Sequence, residues 1–128
     1  MVPPLVMQLI VDRALVKEPG WSLGPMMAQG AHAATAILAR TWDRVDTQSY
    51  IAPDNLASMH KIVLQTPKNV SLAKLSEQLR DAELQTDIPP HYLWIEEPEH
   101  IPTCLAIAPN SKPEALVQVL KKCTLVRS

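Results

Sequence analysis

The sequence predicts one α/β domain built on a mixed sheet with helices on both faces. Three observations predict it. Strand-length apolar runs alternate with longer helical patterns in the order β-α-β-α-β-β-α, and strands separated by helices imply parallel crossovers. The short link between the third and fourth runs implies an antiparallel pair, so the sheet is mixed. The chain has 128 residues, 47% of them hydrophobic. That is one domain, residues 1–128, with enough apolar surface for a core.

Leu5 to Val11 (LVMQLIV) is a nearly continuous apolar run, the pattern of a strand buried on both faces. Asp12 to Gly24 reads as a loop, marked by Pro19-Gly20 and Gly24-Pro25. Pro25 suits the first turn of a helix, where its missing N–H costs nothing. That helix runs from Pro25 to about Trp42. Its alanines at 28, 31, 33, 34, 36 and 39 are strong helix formers, short enough to let it lie close against a sheet.

Asp46 to Met59 is polar and irregular, with Pro53 and a candidate short helix after Asp54. His60 to Thr66 (HKIVLQT) alternates as a second strand, ended by Pro67. Val70 to Leu84 is an amphipathic helix. It has Val70, Leu72, Leu75, Leu79 and Ala82 on one face, and Lys74, Glu77, Arg80 and Asp81 away from it. Pro89-Pro90 closes the next loop; His91 to Ile95 and Thr103 to Ala108 are the third and fourth strands. Ser111-Lys112-Pro113-Glu114 has the spacing of a capping box and opens a last helix that runs to about Lys122. Thr124 to Val126 is a candidate short final strand. No internal repeat or low-complexity tract is present.

Composition excludes several classes. The net charge is −1 and the charged fraction 20%, unlike a protein that coats nucleic acid, which is strongly basic. DNA is therefore not expected as a partner, although local basic patches can still hold phosphates. The two cysteines, Cys104 and Cys123, form no CxxC pair and lack a histidine at zinc spacing. They read as reduced thiols of a cytoplasmic protein. Met1-Val2-Pro3-Pro4 has neither a basic n-region nor an apolar h-region. The stretch between Glu18 and Arg40 lacks Asp, Glu, Lys and Arg, but it holds Pro19, Gly20, Gly24, Pro25, Gln29 and His32. A spanning helix needs about 20 strongly apolar residues, so no membrane association is expected.

In α/β sheets, ligands bind beyond the carboxyl ends of parallel strands. Here that edge gathers the loop after the first strand, the start of the long helix and the loop after the third strand. The first helix turn offers amides and a positive dipole end, suited to an anion or a developing oxyanion. Gln29 and His32, three apart, share a helix face. They fit a pair that orients a substrate or exchanges a proton; from spacing alone they fit better as buried polar groups satisfying the backbone. Glu96, Glu97, Glu99 and His100 form a second cluster. It reads either as a strand-end carboxylate that activates water or as a solvated acidic loop.

No metal pattern is evident: HExxH and a supported two-His-one-carboxylate set are both missing. GxSxG, the P-loop and GxGxxG are missing too. Arg13 and Lys17 follow the first strand, and Lys121, Lys122 and Arg127 lie near the C-terminus. Each can touch phosphate, though the C-terminal set reads better as plain solubility.

These residues resemble a known family. Gly24-Pro25-Met26-Met27-Ala28-Gln29-Gly30-Ala31-His32-Ala33-Ala34-Thr35 resembles the G-K-x-A-A-Q-x-x-H-A-A segment of the archaeal/eukaryotic-type peptidyl-tRNA hydrolases. His60-Lys61-Ile62-Val63-Leu64 resembles that family's second strand, Ile95-Glu96-Glu97 falls on its I-Q-D, and Thr103 to Pro109 (TCLAIAP) resembles its T-x-L-x-I-x-P strand. Leu93 to Cys104 (LWIEEPEHIPTC) is nearer still to the L-W-L-E-Q-P-E-N-I-A-T-C of a divergent eukaryotic subgroup, the peptidyl-tRNA hydrolase domain-containing proteins.

The resemblance implies a three-layer α/β/α fold with a mixed four-stranded sheet, often a homodimer. It implies hydrolysis of the ester joining a peptide to the 3′ end of tRNA, with no metal or organic cofactor. Gln29, His32 and Thr103 match the family's residues. Its strand-end aspartate falls on Glu97, its helix-start lysine on Pro25, and Asp12-Arg13-Ala14-Leu15 stands where it has an Arg and an Asp. The loop after the acid is shorter than the family's.

On this reading Glu97 and His32 position or deprotonate water, while Gln29 and Thr103 hold the acyl-ribose end. The helix start around Met26 and Met27 steadies the oxyanion, and Arg13 and Lys17 contact phosphate. A tRNA- or protein-binding module that keeps the fold without turnover is the alternative.

Overall fold

Alternation along each strand decides which helix it packs against. A computed structural model describes residues 4–17 and 20–126. The Pro19 turn signal, Arg127 and most of the N-terminal Met1-Val2-Pro3-Pro4 segment lie outside them. Strands β1 (Met7–Val11), β2 (Lys61–Gln65), β3 (His91–Glu96), β4 (Ile101–Ile107) and β5 (Thr124–Leu125) form one open sheet in the order β3-β4-β1-β2-β5. β1 pairs parallel with β2, while β4 pairs antiparallel with both β1 and β3. The sheet is mixed, as the connection lengths predict. It has five strands, not four: Thr124 and Leu125 pair antiparallel with Gln65 and Leu64, so even two residues complete an edge.

The helices are α1 (Arg13–Val16), α2 (Leu23–Arg40), α3 (Val45–Tyr50), α4 (Leu72–Gln85) and α5 (Glu114–Leu120), with a 3₁₀ segment at Pro53–Ser58. Met7, Leu9 and Val11 of β1 cluster with Ala33, Ala34 and Ile37 of α2. Ile10, between them in sequence, clusters with Leu72, Leu75 and Leu79 of α4 and with Leu116 and Leu120 of α5. Successive strand side chains point to opposite faces, so α2 and the α4–α5 pair cover different sides of β1.

Local chemistry moved several boundaries. The segment after β1 is not all loop. Asp12 caps a helical turn, its Oδ1 accepting the Ala14 amide at 3.0 Å, and its Oδ2 accepts the Leu72 amide at 3.2 Å at the head of α4. One carboxylate thus ties two helix starts together. α2 begins two residues before Pro25, which still lies within the turn where no intrahelical donor is needed. The expected capping box at Ser111 does not form. Pro113 precedes the first residue of α5, Lys112 takes a left-handed φ of 60°, and the Glu114 carboxylate accepts from Gln118 Nε2 at 2.8 Å. Asn110 supplies the turn instead, its Oδ1 accepting the Lys112 amide at 2.9 Å.

Candidate functional site

β1 and β2 run parallel, and β3 shares their direction because both β1 and β3 oppose β4. The carboxyl ends of all three therefore meet at one edge of the sheet, where α/β folds commonly bind ligands. Glu96 closes β3 at this edge, Thr103 lies early in β4, and the Asp12 amide bonds the Thr103 carbonyl at 3.3 Å.

α2 lays Gln29 onto this edge. The side chain is 2% exposed and Thr103 is fully buried. Thr103 Oγ1 donates to Gln29 Oε1 at 2.8 Å, and Gln29 Nε2 donates to Glu96 Oε2 at 3.2 Å. The other Glu96 oxygen accepts from the indole Nε1 of Trp94 at 3.1 Å. These two donors, the indole first, hold the Glu96 carboxyl below its ordinary range, and the nearby His32 acts in the same direction. One helical turn on from Gln29, the His32 ring stacks on Trp94, centroids 4.6 Å apart and planes at 21°. Four elements of chemistry converge here: an ionised carboxylate, an oriented amide, a buried hydroxyl and an exposed imidazole.

Gln29, His32 and Thr103 are thus brought together. Glu97 is not among them: it lies in the exposed turn after β3, where the His100 Nδ1–H donates to its carboxylate at 2.8 Å. The acid bonded to Gln29 is its neighbour Glu96. Strand parity accounts for the shift. Tyr92 and Trp94 pack with the α2 cluster and Leu93 with the α4 cluster, so Glu96 inherits the α2 side. The same parity was available to pick out Trp94, which spacing on α2 alone did not reveal.

Arg13 and Lys17 sit apart from this cluster. With Lys68, Asn69 and Ser71 they line a cleft of about 920 Å³ beyond the ends of β1 and β2. The Arg13 amide and Nε are held by Thr66 Oγ1 and the Thr66 carbonyl, at 3.0 and 2.9 Å. Met26 and Met27 do not offer a free oxyanion cradle. The Met26 amide donates to the Ser22 carbonyl at 3.2 Å, and helix geometry leaves the amides of Leu23 and Gly24 as those without intrahelical partners. Both methionines line an apolar groove of about 880 Å³, shared with Leu9, Val11, Leu23 and Val63.

Comparison with known proteins places the chain in a family. The family model of peptidyl-tRNA hydrolase PTH2 matches residues 5–126. The chain belongs to the PTH2 family. It is 37% identical over 124 residues to the human protein named "Putative peptidyl-tRNA hydrolase PTRHD1", covering 96% of this chain and 83% of the human one. The mouse protein of the same name is 36% identical over the same lengths.

Pro25 falls where the resemblance to the family places a lysine. It is the third residue of α2 and brings no charge to the helix start. Burial pushes the thiol of Cys104 up to about 12 and that of Cys123 up to about 11, so neither is a thiolate nucleophile near neutral pH. No helix among the described residues is long and apolar enough to cross a membrane.

Proposed function

We propose that this PTH2-family chain hydrolyses the ester joining a peptide to the 3′ oxygen of tRNA. The observation that carries the reading is the Thr103–Gln29–Glu96 chain at the carboxyl edge of the strands, with His32 beside it. The Gln29 amide, held by the buried Thr103 hydroxyl at one end and by Glu96 at the other, fixes the edge against which the acyl-ribose end rests. Glu96 takes the part that the resemblance gives to Glu97: its two oxygens orient the attacking water. His32 accepts the water proton as the new C–O bond forms, and returns it to the leaving 3′ oxygen as the old ester bond breaks. Peptide acid and free tRNA result.

Arg13 and Lys17, with Lys68, contact RNA phosphates in the cationic cleft, adding affinity without sequence readout. Met26 and Met27 line apolar surface, chemistry that suits an apolar part of the substrate and not phosphate. Without a cation at position 25, turnover is expected to be weak, since one preorganised donor is typically worth ~10²–10³ in rate. The same proposal takes the two packing clusters as a three-layer α/β/α arrangement. It places the chain in the cytoplasm, in keeping with two free cysteines, and as a homodimer, which light scattering tests.

The deciding experiment is release of N-acetyl-aminoacyl groups from charged tRNA. Glu96→Gln should lower the rate by ~10²-fold or more, the usual scale for acid–base groups, and Glu97→Gln should cost far less. Background-level release by wild type with retained tRNA binding would leave the binding-module reading; turnover of simple esters without tRNA would point to a small-molecule hydrolase.

A further inference from the structure

Trp94 connects two groups of the site that come from different elements. Its N–H ends on Glu96 Oε1 at 3.1 Å and its ring face lies against His32 at 4.6 Å. The ring has its own support. Tyr92 tilts against it at 6.4 Å between centroids, and the Arg40 guanidinium lies 5.1 Å over Tyr92. Tyr92 and Trp94 also pack against the buried cluster under α2. A side chain held on its flank has little rotamer freedom left to lose, so what it touches inherits a fixed direction.

We infer that Trp94 is a positioning residue of the hydrolytic site: one indole fixes the direction of the Glu96 carboxylate through its N–H and the plane of the His32 imidazole through its face. His32 is exposed on α2, and an exposed imidazole without such a contact samples several rotamers. Glu96 ends an edge strand and has no cation bonded to it among the described residues; its two hydrogen bonds come from Trp94 and Gln29. Each Glu96 oxygen therefore accepts one bond from the protein, leaving lone-pair capacity on both for water. The site thus couples its acid and its imidazole through a residue that need not touch substrate.

This inference rests on the ester-hydrolysis reading, and the test separates the two. Trp94→Phe keeps a ring for His32 and removes the N–H; Trp94→Leu removes both. Trp94→Phe should lower kcat ~10-fold with KM changed less than ~2-fold, the loss expected for one hydrogen bond to a charged group. The acid limb of its pH–rate profile should move to higher pH, because the first cause holding the Glu96 carboxyl low is gone.

In a Glu96→Gln background the same substitution should cost almost nothing further, whereas a merely structural role would cost the same in both. Carboxyl-carbon NMR titration of Glu96 and the ring-proton shifts of His32 are read on the folded protein whatever its activity. The Glu96 midpoint should rise in both variants, and the His32 protons should lose their aromatic shift fully in Trp94→Leu alone. Wild-type turnover together with a Trp94→Phe protein of unchanged kcat and unchanged Glu96 titration overturns the role of Trp94. Wild type without turnover overturns the hydrolase reading by itself.

Discussion

Thr103 and Gln29 stand 74 residues apart in sequence and 2.8 Å apart in space, both buried, the hydroxyl donating to the amide oxygen. This contact sets the direction of the amide. With Oε1 turned to a donor, Nε2 faces the Glu96 carboxylate, which can only accept. A flipped Gln29 would bring its oxygen against the Glu96 carboxylate, so the threonine effectively chooses how the site reads its acid.

Thr103→Val keeps the shape and removes the donor. It leaves a buried amide oxygen without a partner, which costs about 1–3 kcal/mol. Urea denaturation should report that loss, and Thr103→Ser should recover most of it. Hydrolysis should fall in the valine variant beyond what the stability change accounts for, because Gln29 is no longer held to one orientation.

The cationic cleft predicts salt dependence. Lys17 and Lys68 are exposed at its rim. Changing either to Ala should weaken tRNA binding uniformly across tRNA sequences and reduce the slope of log affinity against log salt by about 1 for each phosphate no longer neutralised. Thermal stability should stay within about 0.5 kcal/mol of wild type, as for most surface changes. Binding isotherms at several salt concentrations check this.

Asp12 is the structural counterpart. Asp12→Ala removes the bonds to the Ala14 and Leu72 amides at once. Each cap removed is worth about 0.5–2 kcal/mol, so denaturant unfolding should show a loss at the upper end of that range or above it. Asp12→Asn, which keeps an accepting oxygen, should recover much of the difference.

His91 gives a pH prediction. Its Nδ1–H donates to Glu83 Oε1 at 3.0 Å, so its Nε2 accepts from Ser76, whose Oγ lies 2.8 Å away. Burial pushes its pKa below the ordinary 6.5 and outweighs the Glu83 carboxylate, which pulls the other way. Between 6.5 and that lower folded value the unfolded chain binds more protons than the folded one. Stability therefore falls as pH drops through the window and levels off beneath it. Melting temperature against pH should show this slope, and His91→Gln should flatten it. Glu96, with a lowered carboxyl, acts in a separate window beneath 4.5, where its contribution is lost as pH falls through its folded pKa.

The sequence alone determined the strands, the longer helices and most of the sheet's sense, while the short helices Arg13–Val16 and Val45–Tyr50 fall in segments it reads as loop or irregular. Val70, Leu72, Leu75, Leu79 and Ala82 occupy one packing cluster, as their spacing requires, and β3 pairs antiparallel with β4, as their short link requires. It also marked Gln29, His32 and Thr103 as residues to watch. These features follow from periodicity, turn chemistry and recognisable local motifs, all short-range information.

Which acid meets Gln29 was decided only in three dimensions. Glu96 and Glu97 are chemically equal neighbours, and the choice between them depends on which face of β3 lies under α2. The stacking of Trp94 on His32, the Asp12 bond to the head of α4 and the pairing of Thr124 and Leu125 with β2 are likewise contacts between distant segments. Their existence is fixed by how side chains fill the space between packed elements, a long-range condition that no local pattern encodes.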